Sequence, residues 1–177
     1  PPSGTISNVL FVGRLAAEKN LEAVIEAARA LPDIRFDIAG DGPDRKIVEQ
    51  AAAKLENLNY TGWVNRAELL KLIDDHDMLV LPSHDESFGT VALEAMSRQH
   101  RALVSKHCGI SEWPDLSPGL LVIDASETLA TALERLHQES AASRIAMAER
   151  ARECAVAQNK WNLDQWKELL TYAAKQF

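Results

Sequence analysis

Met78-Leu79-Val80-Leu81-Pro82-Ser83-His84-Asp85-Glu86-Ser87-Phe88-Gly89-Thr90-Val91-Ala92-Leu93-Glu94-Ala95-Met96 is the stretch on which the fold turns. Its first four residues form an apolar run of strand length that stops at a proline, the pattern of a buried strand. Phe88, Val91, Ala92, Ala95 and Met96 then fall at i, i+3, i+4, i+7 and i+8, one apolar face of a helix. Two carboxylates bracket the junction: Glu86 stands in the loop at the carboxyl end of the strand, and Glu94 on the helix that follows. Between them lies a helix start opened by Gly89. Such a terminus offers unpaired amides and the positive end of the dipole to an anion, commonly a phosphate. A ligand with phosphate in its middle and hydroxyls at both ends fits this layout, as nucleotide sugars do.

The same alternation runs outward in both directions. Short apolar runs at Asn8 to Val12, Ile34 to Ala39, Leu58 to Thr61, Ala102 to Ser105 and Leu120 to Ile123 read as five more strands. Helical patterns lie between them: Glu18 to Leu31, Pro43 to Leu55, Asn65 to Asp75, and the helix from Phe88 towards His100. A further helix carries Leu129, Ala132, Leu133 and Leu136 in register, and residues from about 141 to 177 read as helical throughout. Six strands alternating with helices call for a six-stranded parallel sheet covered on both faces, a three-layer, doubly wound, Rossmann-like α/β domain. Ligands bind such sheets at the carboxyl edge of the strands.

Composition narrows the function further. The 177 residues, 46% hydrophobic, suffice for one substantial core, with a net charge of -7 and 19 scattered Lys and Arg. That balance argues against a nucleic-acid or anionic-membrane surface. Cys108 and Cys154 lack metal-ligand spacing and read as free thiols, which with the absence of a run of ~18 apolar residues makes a cytoplasmic location the expectation. The opening Pro1-Pro2-Ser3-Gly4 resembles an interdomain linker. Residues 1–7 are therefore expected to be a linker remnant and 8–177 the folded domain, a piece of a larger protein.

The loops after the strands supply the candidate residues. Gly13 permits a tight exit from the first strand, and Arg14 and Lys19 then place two cations at the mouth, suited to a diphosphate. Gly40-Asp41-Gly42-Pro43 is not a dinucleotide fingerprint and reads as a turn before a helix. Trp63 offers a face to a base or to packing, and Asn65 with Glu68 forms a capping box. Glycine at position 109 permits close approach of backbone amides to a sugar or phosphate. Cys108 as a lone nucleophile lacks an identifiable third partner, and His84 and Asp85 read as loop polar groups.

Taken in order, Gly13-Arg14-Leu15 with Lys19, Gly40-Asp41-Gly42-Pro43, the Gly62 turn, Pro82-Ser83, Glu86-Ser87-Phe88-Gly89 through Glu94-Ala95-Met96, and Gly119-Leu120-Leu121-Val122 resemble the retaining, nucleotide-sugar-dependent group 1 (family 4) glycosyltransferases of GT-B architecture. The resemblance runs from about Val9 through Leu136 and extends to the Trp-rich terminal helix. It implies the C-terminal, donor-binding half of a GT-B enzyme, with the N-terminal acceptor domain outside this chain. It implies that Arg14 and Lys19 hold the donor diphosphate and stabilise the departing nucleotide, with help from the amides of Ser87, Phe88, Gly89 and Thr90. Glu86 would hydrogen-bond the sugar hydroxyls and Glu94 the ribose, with no metal or other cofactor and no protein nucleophile.

The chain departs from the family pattern in two places: Asn20 follows Lys19 where glycine is common, and Cys108 replaces the first of two glycines. Expected partners are a nucleotide sugar and the acceptor domain, with membrane association only through the latter. The terminal residues Trp161, Leu163, Trp166, Leu169 and Leu170 are expected to serve contacts outside the domain. A non-catalytic binding or assembly module on the same fold is the competing reading, and a nucleotide-sugar epimerase half a more distant one.

Overall fold

The structure, a computed structural model, describes residues 6–174, with the side chains of 168–174 left aside. Six parallel strands form one sheet: β1 (Asn8–Val12), β2 (Arg35–Ala39), β3 (Leu58–Gly62), β4 (Met78–Leu81), β5 (Arg101–Val104) and β6 (Leu121–Val122), in the order β3-β2-β1-β4-β5-β6. The helices are α1 (Leu21–Ala30), α2 (Arg45–Ala52), α3 (Arg66–Asp75), α4 (Thr90–Ser97), α5 (Leu129–His137) and α6 (Ala141–Ala174). Helix α1 packs against α2 and α5, and α4 against α6. No helix among the described residues is long and apolar enough to cross a membrane.

The expected doubly wound α/β architecture is present, and its central strands are buried, whereas the edge strands β3 and β6 are largely not. All four residues of β4 and all four of β5 are buried, as are Val9, Leu10 and Phe11 of β1. Ile6, 1% exposed, belongs to the core, and the Ser7 amide donates to Asp77 Oδ2 at 2.8 Å, so these two residues, expected in the linker, are packed with the domain.

Element boundaries shift where single residues impose a backbone geometry. The helix expected from Glu18 divides into a 3-10 turn at Ala17–Lys19 and α1 from Leu21, because Asn20 between them is left-handed with φ 53°. Asparagine tolerates that conformation, so the turn is made without glycine. Helix α4 starts at Thr90 instead of Phe88, since Gly89 before it is left-handed with φ 93°. Strand β5 takes in Arg101 at its start and stops before Ser105.

Two charged groups are buried in the sheet region. Asp37 on β2 accepts from His76 Nε2 at 2.8 Å, from Arg35 and from Asn59, joining β2 to β3 and to the end of α3. Burial would raise its pKa, and these hydrogen bonds overcome burial and hold it at about 2. Arg101, 2% exposed, lies 3.6 Å from Glu139 just before α6. Burial lowers the pKa of this guanidinium.

Helix α6 is anchored along one stripe only. Arg144, Ala148, Ala151, Cys154, Ala155 and Gln158 are buried, whereas every residue from 159 to 167 is exposed. Trp161, Leu163 and Trp166 are more than half exposed. The side chains of Leu169 and Leu170 lie outside the described residues.

Candidate active site

Strand β1 pairs with β2 on one side and β4 on the other, so the strand order switches there and the loops leaving β1 and β4 flank the carboxyl-edge crevice at which such sheets bind ligands. Those two loops carry Arg14, Lys19 and Glu86. The amides of His84 and Asp85 donate to the Glu18 carbonyl at 2.8 and 3.4 Å, and Asn20 Nδ2 donates to the Pro82 carbonyl at 3.0 Å. The β1 and β4 loops are thus stitched together.

Lys19 and Glu86, 67 residues apart, meet in that crevice, with Nζ donating to Oε2 at 2.6 Å and side chains 15% and 20% exposed. Partial burial weakens the screening of this pair. Arg14 stands further out and donates from Nη2 to Glu18 Oε1 at 2.6 Å. Gly13 donates its amide to the Ala39 carbonyl at 3.1 Å, and its carbonyl would lie 1.9 Å from any Cβ added at Gly40. The Gly40 turn is therefore a packing device under the β1 loop, as its reading as a turn implies.

The β5 loop braces Glu86 from below. Glu86 donates its amide to the His107 carbonyl at 3.1 Å and accepts from Gly109 at 2.8 Å, and the Ile110 amide donates to the Phe88 carbonyl at 2.8 Å. The amide of Gly109, expected to approach a sugar or phosphate, is engaged inside the protein. A Cβ at this position would stand 2.1 Å from the Ser87 carbonyl oxygen, so glycine is needed for loop to meet loop.

Cys108 fills the space beneath. Its side chain is fully buried, and Sγ donates to the Phe88 carbonyl at 3.4 Å. Burial, and after it the charge of Glu86, push the thiol up to about 11. A protonated, enclosed thiol is no nucleophile at neutral pH, so the substitution at this position serves packing.

Helix α4 begins beside these groups with no side-chain cap. The Ala92 amide turns back to the Gly89 carbonyl at 2.9 Å, while the amides of Thr90 and Val91 have no protein acceptor among the described residues. Ser87 and Thr90 are exposed, and the half-buried Phe88 sets its ring edge-on to Trp113 at 5.4 Å.

One turn along α4, Glu94 is paired with the Arg66 guanidinium at the start of α3. Asn65 and Glu68 form the expected capping box there, which fixes the first turn that presents Arg66. Trp63, three residues earlier, is 73% exposed. The structure thus brings Arg14, Lys19, Glu86, Ser87, Phe88, Gly89, Thr90 and Glu94 to one edge, with Trp63 on the neighbouring loop and Gly109 as a support.

Sequence reasoning missed three contributors. Glu18 was legible, since it lies four residues beyond Arg14. Arg66 and Trp113 had no local signal, because their partners lie 28 and 25 positions away.

Comparison with known proteins identifies the family and the fold. The family model described as "Glycosyl transferases group 1" matches residues 5–154. The chain is 34% identical over 137 residues to alpha-D-kanosaminyltransferase of Streptomyces kanamyceticus, covering 72% of this chain and 36% of that protein. It superimposes on sucrose-phosphate synthase of Thermosynechococcus elongatus with a TM-score of 0.77 at 22% identity, over 97% of this chain and 47% of the other. Against the C-terminal domain of a group 1 family protein of Francisella tularensis the TM-score is 0.69 at 22% identity, with 86% of each chain covered. The chain thus spans about a third of the kanosaminyltransferase and just under half of the synthase.

Proposed function

The chain belongs to the group 1 glycosyltransferase family, and on that premise we propose that it is the donor-binding half of a retaining enzyme that moves a hexosyl group from a nucleoside-diphosphate sugar. Its acceptor, a glycan, a lipid-linked sugar or a small molecule, would be held by an N-terminal domain outside this chain. The observation that carries the proposal is the meeting of Lys19 and Glu86 between the β1 and β4 loops, beside the uncapped start of α4.

Each group has one task in this reading. Arg14 and Lys19 take the diphosphate, Arg14 as a two-pronged donor and Lys19 as a point charge, and together stabilise the negative charge that grows on the leaving nucleotide. The free amides of Thr90 and Val91 and the α4 dipole add to this, so that fixed charges carry the electrostatic burden and no metal is required. Glu86 accepts from sugar hydroxyls, Glu94 from the ribose, and Trp63 offers its exposed face to the base. As the family resemblance implies, retention would proceed by attack on the face from which the nucleotide leaves. The leaving phosphate oxygen takes the acceptor's proton as the new glycosidic bond forms.

Calorimetric titration of the chain with UDP, GDP, ADP and their sugars tests donor binding. One nucleotide family is expected to bind, and Arg14→Ala to weaken it by about ten- to a hundredfold through loss of a charged hydrogen bond. A folded chain that binds no nucleotide supports the non-catalytic module instead. Product anomer analysis with a protein containing both halves tests retention.

A further inference from the structure

Every charged group assigned to the donor already has a partner of opposite sign: Arg14 has Glu18, Lys19 has Glu86, and Glu94 has Arg66. Two of these carboxylates have a use once the donor is bound, Glu86 on the sugar and Glu94 on the ribose. Glu18 has none. Its carboxylate occupies Arg14 at 2.6 Å, in the way that a phosphate oxygen would.

The position of Glu18 is not incidental. Its carbonyl accepts the amides of His84 and Asp85, so its backbone is tied to the β4 loop at the crevice. The hydrogen bond from Arg14 keeps its carboxyl below the ordinary carboxylate range, so it is ionised at neutral pH. The pair is 65% and 33% exposed, and exposed ion pairs are weak. An incoming diphosphate, which also gains Lys19 and the α4 amides, therefore displaces Glu18 from Arg14. The displaced carboxylate then stands close to a phosphate of like charge.

We propose, on the strength of the donor-binding reading above, that Glu18 is an internal stand-in for the donor phosphate. It holds Arg14 in place in the empty site and lowers the affinity of the bound nucleotide. Glu18 is thus a positioning residue that acts through Arg14 and, by weakening nucleoside-diphosphate binding, eases product release.

The test is nucleoside-diphosphate titration, by calorimetry and by nuclear magnetic resonance, of the 177-residue chain and four variants whose folding is checked by circular dichroism. Glu18→Gln is expected to bind about two- to fivefold tighter than wild type, a gain that a purely structural residue would not give. Glu22→Gln, which makes the same charge change on the exposed start of α1, is expected to leave affinity unaltered. In an Arg14→Gln background, comparing the single variant with Arg14→Gln/Glu18→Gln, the gain is expected to vanish. Unchanged or weaker binding in Glu18→Gln overturns the inference while leaving donor binding intact. So does an equal gain in Glu22→Gln, or one that survives without Arg14. If neither wild type nor any folded variant binds a nucleotide, donor binding itself fails and this inference falls with it.

Discussion

At the scale of residues, the candidate site depends as much on what lies beneath it as on what faces the crevice. Gly89 is the clearest case. Its φ of 93° favours glycine, and an added Cβ would stand 2.6 Å from Cys108 Sγ. Gly89→Ala should therefore cost about 1–3 kcal/mol in urea denaturation, through strain at that backbone angle and displacement of the thiol. It should also weaken nucleotide binding by more than its stability cost accounts for, because the first-turn amides of α4 move with it. Cys108 belongs to the same unit. Its pKa of about 11 and complete burial show why a thiol can replace glycine there without adding a reactive group.

The residue scale also marks how far local reading extends. Glu86 and Glu94 stood out because a strand, a proline, a glycine and an apolar stripe surrounded them in one continuous stretch. Arg14 and Lys19 stood out because they follow a strand and a glycine. That Lys19 would meet Glu86, or Arg66 meet Glu94, was not legible, because pairing across 67 or 28 residues is set by strand order and not by neighbours. That the Gly109 amide would donate to the Glu86 carbonyl was not legible for a similar reason. Only the isolated bridge between Glu86 and Cys108 shows it to be part of a short extension of the sheet.

At the scale of elements, buried charge supplies the connections that apolar packing does not specify. Asp37, held at about 2 by His76, Arg35 and Asn59, joins three elements towards the β3 edge of the sheet. Its folded pKa lies below the ordinary 3.8, so the stability it contributes is present above that value and is lost as pH falls through about 2. The full contribution is about 2 kcal/mol, of which about 1 kcal/mol should disappear between about pH 6 and about pH 3. Urea denaturation at the two pH values checks this, and Asp37→Asn should lose correspondingly less on acidification. Helix boundaries belong to this scale too. Asn20 and Gly89 each delay a helix start by a left-handed residue, and in both cases the delay shapes a loop that bears candidate site residues.

At the scale of the whole molecule, the sheet and its helices form a packed body, and residues 159–167 of α6 are exposed. Trp161, at 54% exposure, and Trp166, at 65%, contribute little to the domain. Trp161→Ser combined with Trp166→Ser should change the free energy of unfolding by no more than about 0.5 kcal/mol, measured by chemical denaturation. A larger loss would mean that the end of α6 packs on the domain in solution.

The sequence by itself determined the class of fold, the alternation of six strands with helices, and the loops that carry the candidate site residues. Those properties follow from periodicity, turn residues and helix starts, all of which act over a few positions. Only the tertiary structure decided which charges meet. It placed Lys19 on Glu86, Arg66 on Glu94 and the Gly109 amide on the Glu86 carbonyl, and it enclosed Cys108. The physical reason is range: a hydrogen bond or an ion pair is made or lost within an ångström, and the order of strands, not the spacing of residues along the chain, sets those distances.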